Sequence, residues 1–212
     1  LETVDPTVSF SEYAQANPYY RKYNSAGEIE KYLYYPEDGI NDSSVSNPLW
    51  NAHLNNYNKG QEFGFTNNFI IEWFATHDFR LRAKFGLTKS DDTSDVRLSP
   101  LHSQFDDVSD TEKGLYTHTQ TKGLVYEGDL AATFGRLFAD KHMVNAVAGF
   151  NFSSTKRENY GFSANGFTDD QFDSPSFANS YPNGESPDYS RTEKRAASFY
   201  INGGYAYDNR YL

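Results

Sequence analysis

The sequence predicts an all-β protein built of antiparallel hairpins. Three observations predict it. Apolar residues alternate with polar ones at a period of two, short turns join the alternating stretches in pairs, and long segments rich in Ser, Asn, Asp, Gly and Pro separate the pairs.

Taken in chain order, the first 60 residues lack sustained alternation and read as a long excursion. Helical turns are expected around Ser11 to Ala16 and Gly27 to Tyr34. The first hairpin occupies 61–88. Phe63, Phe65, Phe69, Ile71 and Trp73 lie on one face of its outgoing strand, with Glu62, Thr66, Asn68 and Glu72 on the other. After His77 the chain returns with Phe79, Leu81, Ala83, Phe85 and Leu87 against Arg80, Arg82 and Lys84. An excursion from Lys89 to Lys122 follows.

The second hairpin occupies 122–155 and turns at Ala139-Asp140-Lys141. Its apolar rows are Leu124, Tyr126, Leu130 and Phe134, then Val144, Ala146, Phe150 and Phe152. A further excursion runs from Lys156 to Arg191. The third hairpin, 192–212, sets Phe199, Ile201, Tyr205 and Tyr207 against Ser198, Tyr200 and Asn202, turns at Asp208-Asn209-Arg210, and reaches Tyr211 as the start of another strand.

Composition excludes several functions. A net charge of −10 and a pI near 4.9 leave no Lys/Arg footprint for a phosphate backbone, so nucleic acid is not expected as a partner. The absence of Cys removes disulfides, Cys–Zn sites and thiol catalysis. Aromatic residues, at 17%, argue for a packed chain rather than a disordered one. No leader and no apolar run of about 18 residues is visible, which does not exclude a membrane, because barrel strands carry a much weaker signal.

Alternation alone fits two surroundings. A soluble antiparallel sheet turns its apolar face to a core, whereas a transmembrane barrel turns it to lipid. Two further features fit the barrel. Short turns gather at one end and excursions of about thirty residues at the other, against the 2 to 5 residues usual in hairpins. Trp73, Phe79, Phe138, Tyr205, Tyr207 and Tyr211 cluster near the turns, where an aromatic belt would meet headgroups. A soluble secreted all-β module whose loop aromatics hold a glycan stays open as the alternative.

Seven stretches, "SFSEYAQANPYYRKYNSAGEIEKYL", "NPLWNAHLNN", "TNNFIIEWFATHDFRLRAKFGLTKSDD", "LSPLHSQFDD", "KHMVNAVAGFNF", "GFTDDQFDSPSFANSYP" and "ASFYINGGYAYDNRYL", follow one another through nearly the whole chain. Together they resemble the barrel of SusC/RagA-type TonB-dependent outer-membrane transporters of Bacteroidetes. The resemblance implies that the chain is an arc of a large, about 22-stranded barrel that surrounds a plug. It also implies a SusD-like surface lipoprotein as partner, TonB as energy source, outer-membrane lipid around the wall, and oligosaccharide or peptide as the imported solute. A plug, a TonB box and the closing strand are expected to lie outside this stretch.

On that reading Phe69, Ile71, Trp73, Leu81, Phe85, Phe150, Phe152, Phe199 and Ile201 face lipid. Tyr19, Tyr20, Arg21, Trp50, Tyr116, Phe172, Phe177 and Tyr181, carried on the excursions, are candidates for contact with solute or lid, since flat rings stack on sugars and anchor interfaces. Clusters of loop aromatics also serve simply to order the loops.

No enzyme, cofactor or metal site is expected. The acidic clusters Asp91/Asp92/Asp95, Asp106/Asp107/Asp110 and Asp169/Asp170/Asp173 lack the EF-hand spacing. The five His residues form no ligand pair, and no Gly-x-Ser-x-Gly elbow occurs.

Overall fold

A computed structural model describes residues 2–5, 10–34 and 45–208. It is all-β and antiparallel. One sheet contains β1 (Glu2–Asp5), β4 (Tyr57–Phe74), β5 (Phe79–Leu98), β6 (Leu115–Phe138), β7 (His142–Asn165) and β8 (Asp188–Tyr207), in the order β1-β4-β5-β6-β7-β8. A small second sheet pairs β2 (Arg21–Tyr23) with β3 (Ile29–Tyr34). Two short helices, α1 (Phe10–Gln15) and α2 (Pro48–His53), complete the elements that concern us. β1 pairs with the start of β4, Glu2 opposite Gln61 and Asp5 opposite Asn58.

Three sequence expectations need correction. The hairpins do not end at 88, 122 and 155. The ladder continues through Lys89 to Leu98, resumes at Leu115, runs past Lys156 to Asn165 and begins again at Asp188. Backbone pairing overrides the turn-like composition of "KSDDTSDVRL", whose polar side chains find partners such as those of Asp95 and Arg97 instead of an apolar core. Second, Gly27 to Tyr34 is not helical: Gly27, at φ 84°, turns the chain and Ile29–Tyr34 is a strand. Third, the first 60 residues carry strands of their own. The expected helix near Ser11 is α1. Asn209, Arg210 and Tyr211 lie outside the described residues.

The turns between long strands follow from their residues. Phe138 to Lys141 closes with an N–H···O bond of 3.2 Å, and both central residues, Ala139 and Asp140, take positive φ (49° and 52°). That is the type I′ geometry that matches strand twist, with Asp suited to its second central position. Between β4 and β5, Thr76 and Phe79 exchange backbone hydrogen bonds, and Asp78 N–H donates to the Thr76 hydroxyl at 3.2 Å.

The chain divides into two compact units. One comprises the chain up to Glu62, Asp92–Gln120 and Tyr160–Tyr189. The other comprises Phe63–Asp91, Thr121–Asn159 and the chain from Ser190.

In the second unit, side-chain contacts fix which residues share a face. Thr66 meets Thr88 at 3.2 Å, Arg82 pairs with Glu72 at 3.1 Å, Ser198 donates to Asn151 at 2.5 Å and Tyr200 to Asp129 at 3.3 Å. These residues make one polar face. On the opposite face Phe150 packs on Phe199 with ring centroids 4.7 Å apart and on Phe152 at 6.2 Å. Two glycines let large rings lie flat. A Cβ on Gly149 would come within 2.1 Å of the Tyr200 ring on the polar face, and one on Gly128 within 2.2 Å of Phe152 on the apolar face.

The apolar face stays bare: Phe69 is 58% exposed, Phe199 82% and Ile201 86%. Its rows run from Phe79 to Leu87, Val144 to Phe152 and Ala197 to Tyr207, which are lengths of about 27 to 33 Å along the strand. At the tilt of about 35 to 45° common to transmembrane barrels such rows would stand about 20 to 27 Å tall, against an apolar band of about 25 Å in those barrels.

Candidate functional site

The first unit carries the long connections between strands, and polar side chains hold it together. Arg97 on β5 is fully buried. Its guanidinium donates to the carbonyl of Asn55, to that of Asp170 at 2.9 Å and to that of Phe172 at 3.0 Å, lies 3.8 Å from the Asp170 carboxylate, and sits over the Phe167 ring. Asn55 N–H in turn donates to that carboxylate at 3.2 Å, and the Asn55 amide to the Asp170 carbonyl at 3.3 Å. One fixed fork of donors thus ties the segment before β4 to the segment after β7, a task a lysine could not perform with the same geometry.

A second staple is Asn47, also fully buried. It caps α2 by accepting from Leu49 N–H at 3.1 Å, while its amide donates to the carbonyls of Lys22 at 3.1 Å and Glu30 at 2.7 Å. Pro48 opens the helix where a missing N–H is harmless. Asn51 bonds Ser103 in both directions at 2.9 and 3.1 Å, Asn56 accepts from Ser99 N–H at 2.7 Å, and Trp50 Nε1 donates to the Leu101 carbonyl at 3.1 Å. Gly166 adopts φ 79° with the Thr111 carbonyl 2.2 Å from where a Cβ would stand, so only glycine fits there.

The candidate contact residues separate on this frame. Tyr19 is 78% exposed, Arg21 is exposed and Tyr20 half-buried. Phe172 and Phe177 stack on each other at 4.7 Å and 24°, both still presenting an open face, and Tyr181 is 49% exposed. Trp50 is half-buried and held by its hydrogen bond to Leu101. Tyr116 departs from the expectation of an open ring: it is 8% exposed and donates to Asp95 at 2.5 Å. His118 shares that carboxylate at 2.7 Å and packs on Tyr160 and Phe162. Burial, reinforced by the Asp95 carboxylate, pushes the Tyr116 phenol well above its ordinary range.

Of the residues expected to face lipid, Phe69, Ile71, Trp73, Phe85, Phe152, Phe199 and Ile201 are exposed, while Leu81 and Phe150 are half-buried among their neighbours.

Members of all three acidic clusters have structural partners. Asp95 binds Tyr116 and His118, Asp106 pairs with Lys31, Asp110 with Lys113 at 2.7 Å, Asp169 accepts from Gln171 N–H at 2.8 Å, and Asp170 belongs to the Arg97 knot. Among the described residues no group of three His, Asp or Glu could hold a metal ion. No helix of the described residues is long and apolar enough to cross a membrane, which says nothing of strands.

Sequence reasoning missed Arg97, Asn47 and the Asp95–Tyr116–His118 set. Only Asn47-Pro48 carried a local signal, an N-cap residue followed by proline.

No protein-family model and no curated protein matches the chain. Solved structures do match it. A chain of the structure of the RagAB peptide transporter aligns with a TM-score of 0.65 at 16% identity over 87% of this chain and 20% of that one. Chains of the RagAB peptide importer in its closed-closed and open-open states align with TM-scores of 0.64 at 15% and 16% identity, each over 88% of this chain and 20% of the other. The likeness establishes the fold, and the chain spans about a fifth of the length of the structures it matches.

Proposed function

We propose that the chain is a section of the wall of a TonB-dependent outer-membrane importer, with its loop-bearing unit facing the outside. One observation carries the reading. A single face of the long antiparallel strands is apolar and bare over about the height of a bilayer core, in a fold shared over 87% of the chain with a peptide transporter. A soluble module would have to cover that face.

On this reading Phe69, Ile71, Trp73, Leu81, Phe85, Phe150, Phe152, Phe199 and Ile201 touch lipid, and the polar face, with Glu72, Asp129 and Tyr200, lines the lumen side. The open rings of Tyr19, Phe172, Phe177 and Tyr181 with Arg21 supply contacts to solute or to a SusD-like lipoprotein. Trp50 and Tyr116 are instead engaged within the unit, with Leu101 and Asp95. The solute is an oligosaccharide or a peptide, drawn in by energy that TonB delivers to the rest of the protein. The proposed role is passage, not catalysis.

Expression of the whole gene product tests this. It should sediment with outer membranes and migrate faster on a gel unheated than boiled. Recovery as a soluble monomer would overturn the proposal.

A further inference from the structure

The apolar face has a charged upper edge. On β5, moving away from the turn, Leu87 is followed on the same face by Lys89. On β6 Leu124 is followed by Lys122, on β7 Phe152 by Ser154 and Lys156, and on β8 Ala197 by Arg195. One step further on, the same face turns to carboxylates, Asp91, Glu158 and Glu193, joined by Arg191. The order apolar, cation, acid therefore repeats on β5, β7 and β8, while on β6 Lys122 is followed by Gln120, at the edge where an apolar row gives way to charge.

The geometry points to a binding site for the phosphate of a membrane lipid headgroup, formed by Lys89, Lys122 and Lys156. These three lysines line a concavity of about 430 Å³ together with Asp91, Leu124 and Glu158. Neighbouring strands stand about 4.8 Å apart, so three ammonium groups on β5, β6 and β7 can converge on one phosphate.

The cations differ in how they are used. Lys156 holds Glu158 at 2.9 Å, Arg191 reaches Glu158 at 3.8 Å and Glu193 at 3.7 Å, and Arg195 also pairs with Glu193. Lys89 and Lys122 have no carboxylate within 4 Å among the described residues. Two ammonium groups outside ion-pair distance of a carboxylate, with Lys122 acting on Glu158 only at longer range, lie beside an apolar row and form a site for an anion that carries its own hydrocarbon. Leu124, which lines the concavity, would meet the first acyl carbons. A free phosphate would gain only the charge contacts, and a lipid phosphate gains both.

This inference rests on the outer-membrane reading, and the test separates the two. The whole protein is reconstituted in nanodiscs of phosphatidylcholine with and without phosphatidic acid. Bound phosphatidic acid is then counted by native mass spectrometry for wild type, for Lys89→Gln/Lys122→Gln/Lys156→Gln, and for Lys194→Gln on the opposite face. Wild type and Lys194→Gln should retain the phosphatidic acid against inorganic phosphate. The triple variant should lose affinity by roughly fivefold per cation removed. Equal retention by the triple variant, or displacement by inorganic phosphate, would overturn the site. Heat-modifiable migration of all three proteins shows that the barrel is intact; its absence in wild type would instead sink the membrane reading.

Discussion

Replacing Arg97 by alanine should loosen the loop-bearing unit and leave the long strands paired. The side chain is fully buried and serves three carbonyls and one carboxylate. Hydrogen bonds to a charged group contribute about 1.5 to 3 kcal/mol each, but Nε is buried without a partner, which offsets about one of them. Breaking a buried pair by removing one partner costs about 3 to 5 kcal/mol, so about 4 kcal/mol is expected. At 1.36 kcal/mol per decade, that is a roughly thousandfold loss of protection.

Hydrogen exchange of the protein in detergent reads this directly. Peptides containing Asn55–Asn56 and Asp170–Phe172 should exchange faster by that factor, while those within 124–134 and 144–152 stay unchanged. Arg97→Lys should recover only part of the protection, since a point charge cannot span three carbonyls. Unchanged exchange at Asp170–Phe172 in the alanine variant would refute the claim that Arg97 ties these segments together.

Three further outcomes follow from the same geometry. Ile201→Arg on the bare apolar face should cost about 2 to 4 kcal/mol of assembled barrel, read as a lost heat-modifiable band, whereas Asn202→Arg on the polar face should assemble normally. Gly149→Ala should displace the Tyr200 ring and lose its 3.3 Å bond to Asp129, at about 1 to 3 kcal/mol. The double variant with Tyr200→Ala should recover most of that in urea unfolding. Because Tyr116 is held above its ordinary pKa, the stability it contributes is whole below the unfolded value near 10 and falls as pH rises beyond it. The difference in phenolate absorbance between wild type and Tyr116→Phe should accordingly be flat up to about pH 11, and a step near 10 would contradict the burial argument.

The strands that face two unlike surroundings were legible in the sequence, because Phe69/Ile71/Trp73 and Phe199/Ile201 announce their faces through a period of two. The turn at Ala139-Asp140 was legible for the same local reason. What escaped was structure with no local cause. "KSDDTSDVRL" pairs as a strand because its neighbours do, and Ile29–Tyr34 becomes extended by pairing with Arg21–Tyr23. The role of Arg97 depends on carbonyls 42, 73 and 75 residues away. No window of sequence contains such a site. The basic edge of the apolar face lay in plain view, but only the folded sheet brings Lys89, Lys122 and Lys156 to one concavity.

Spin labels placed one at a time from Arg195 to Tyr205 test the central claim most directly. In membranes, the account predicts alternating access: oxygen, which partitions into hydrocarbon, relaxes labels at Ala197, Phe199, Ile201 and Gly203, whereas an aqueous nickel chelate relaxes those at Ser198, Tyr200 and Asn202. Labels that all answer to the chelate, with no period of two, would show that this face does not meet lipid.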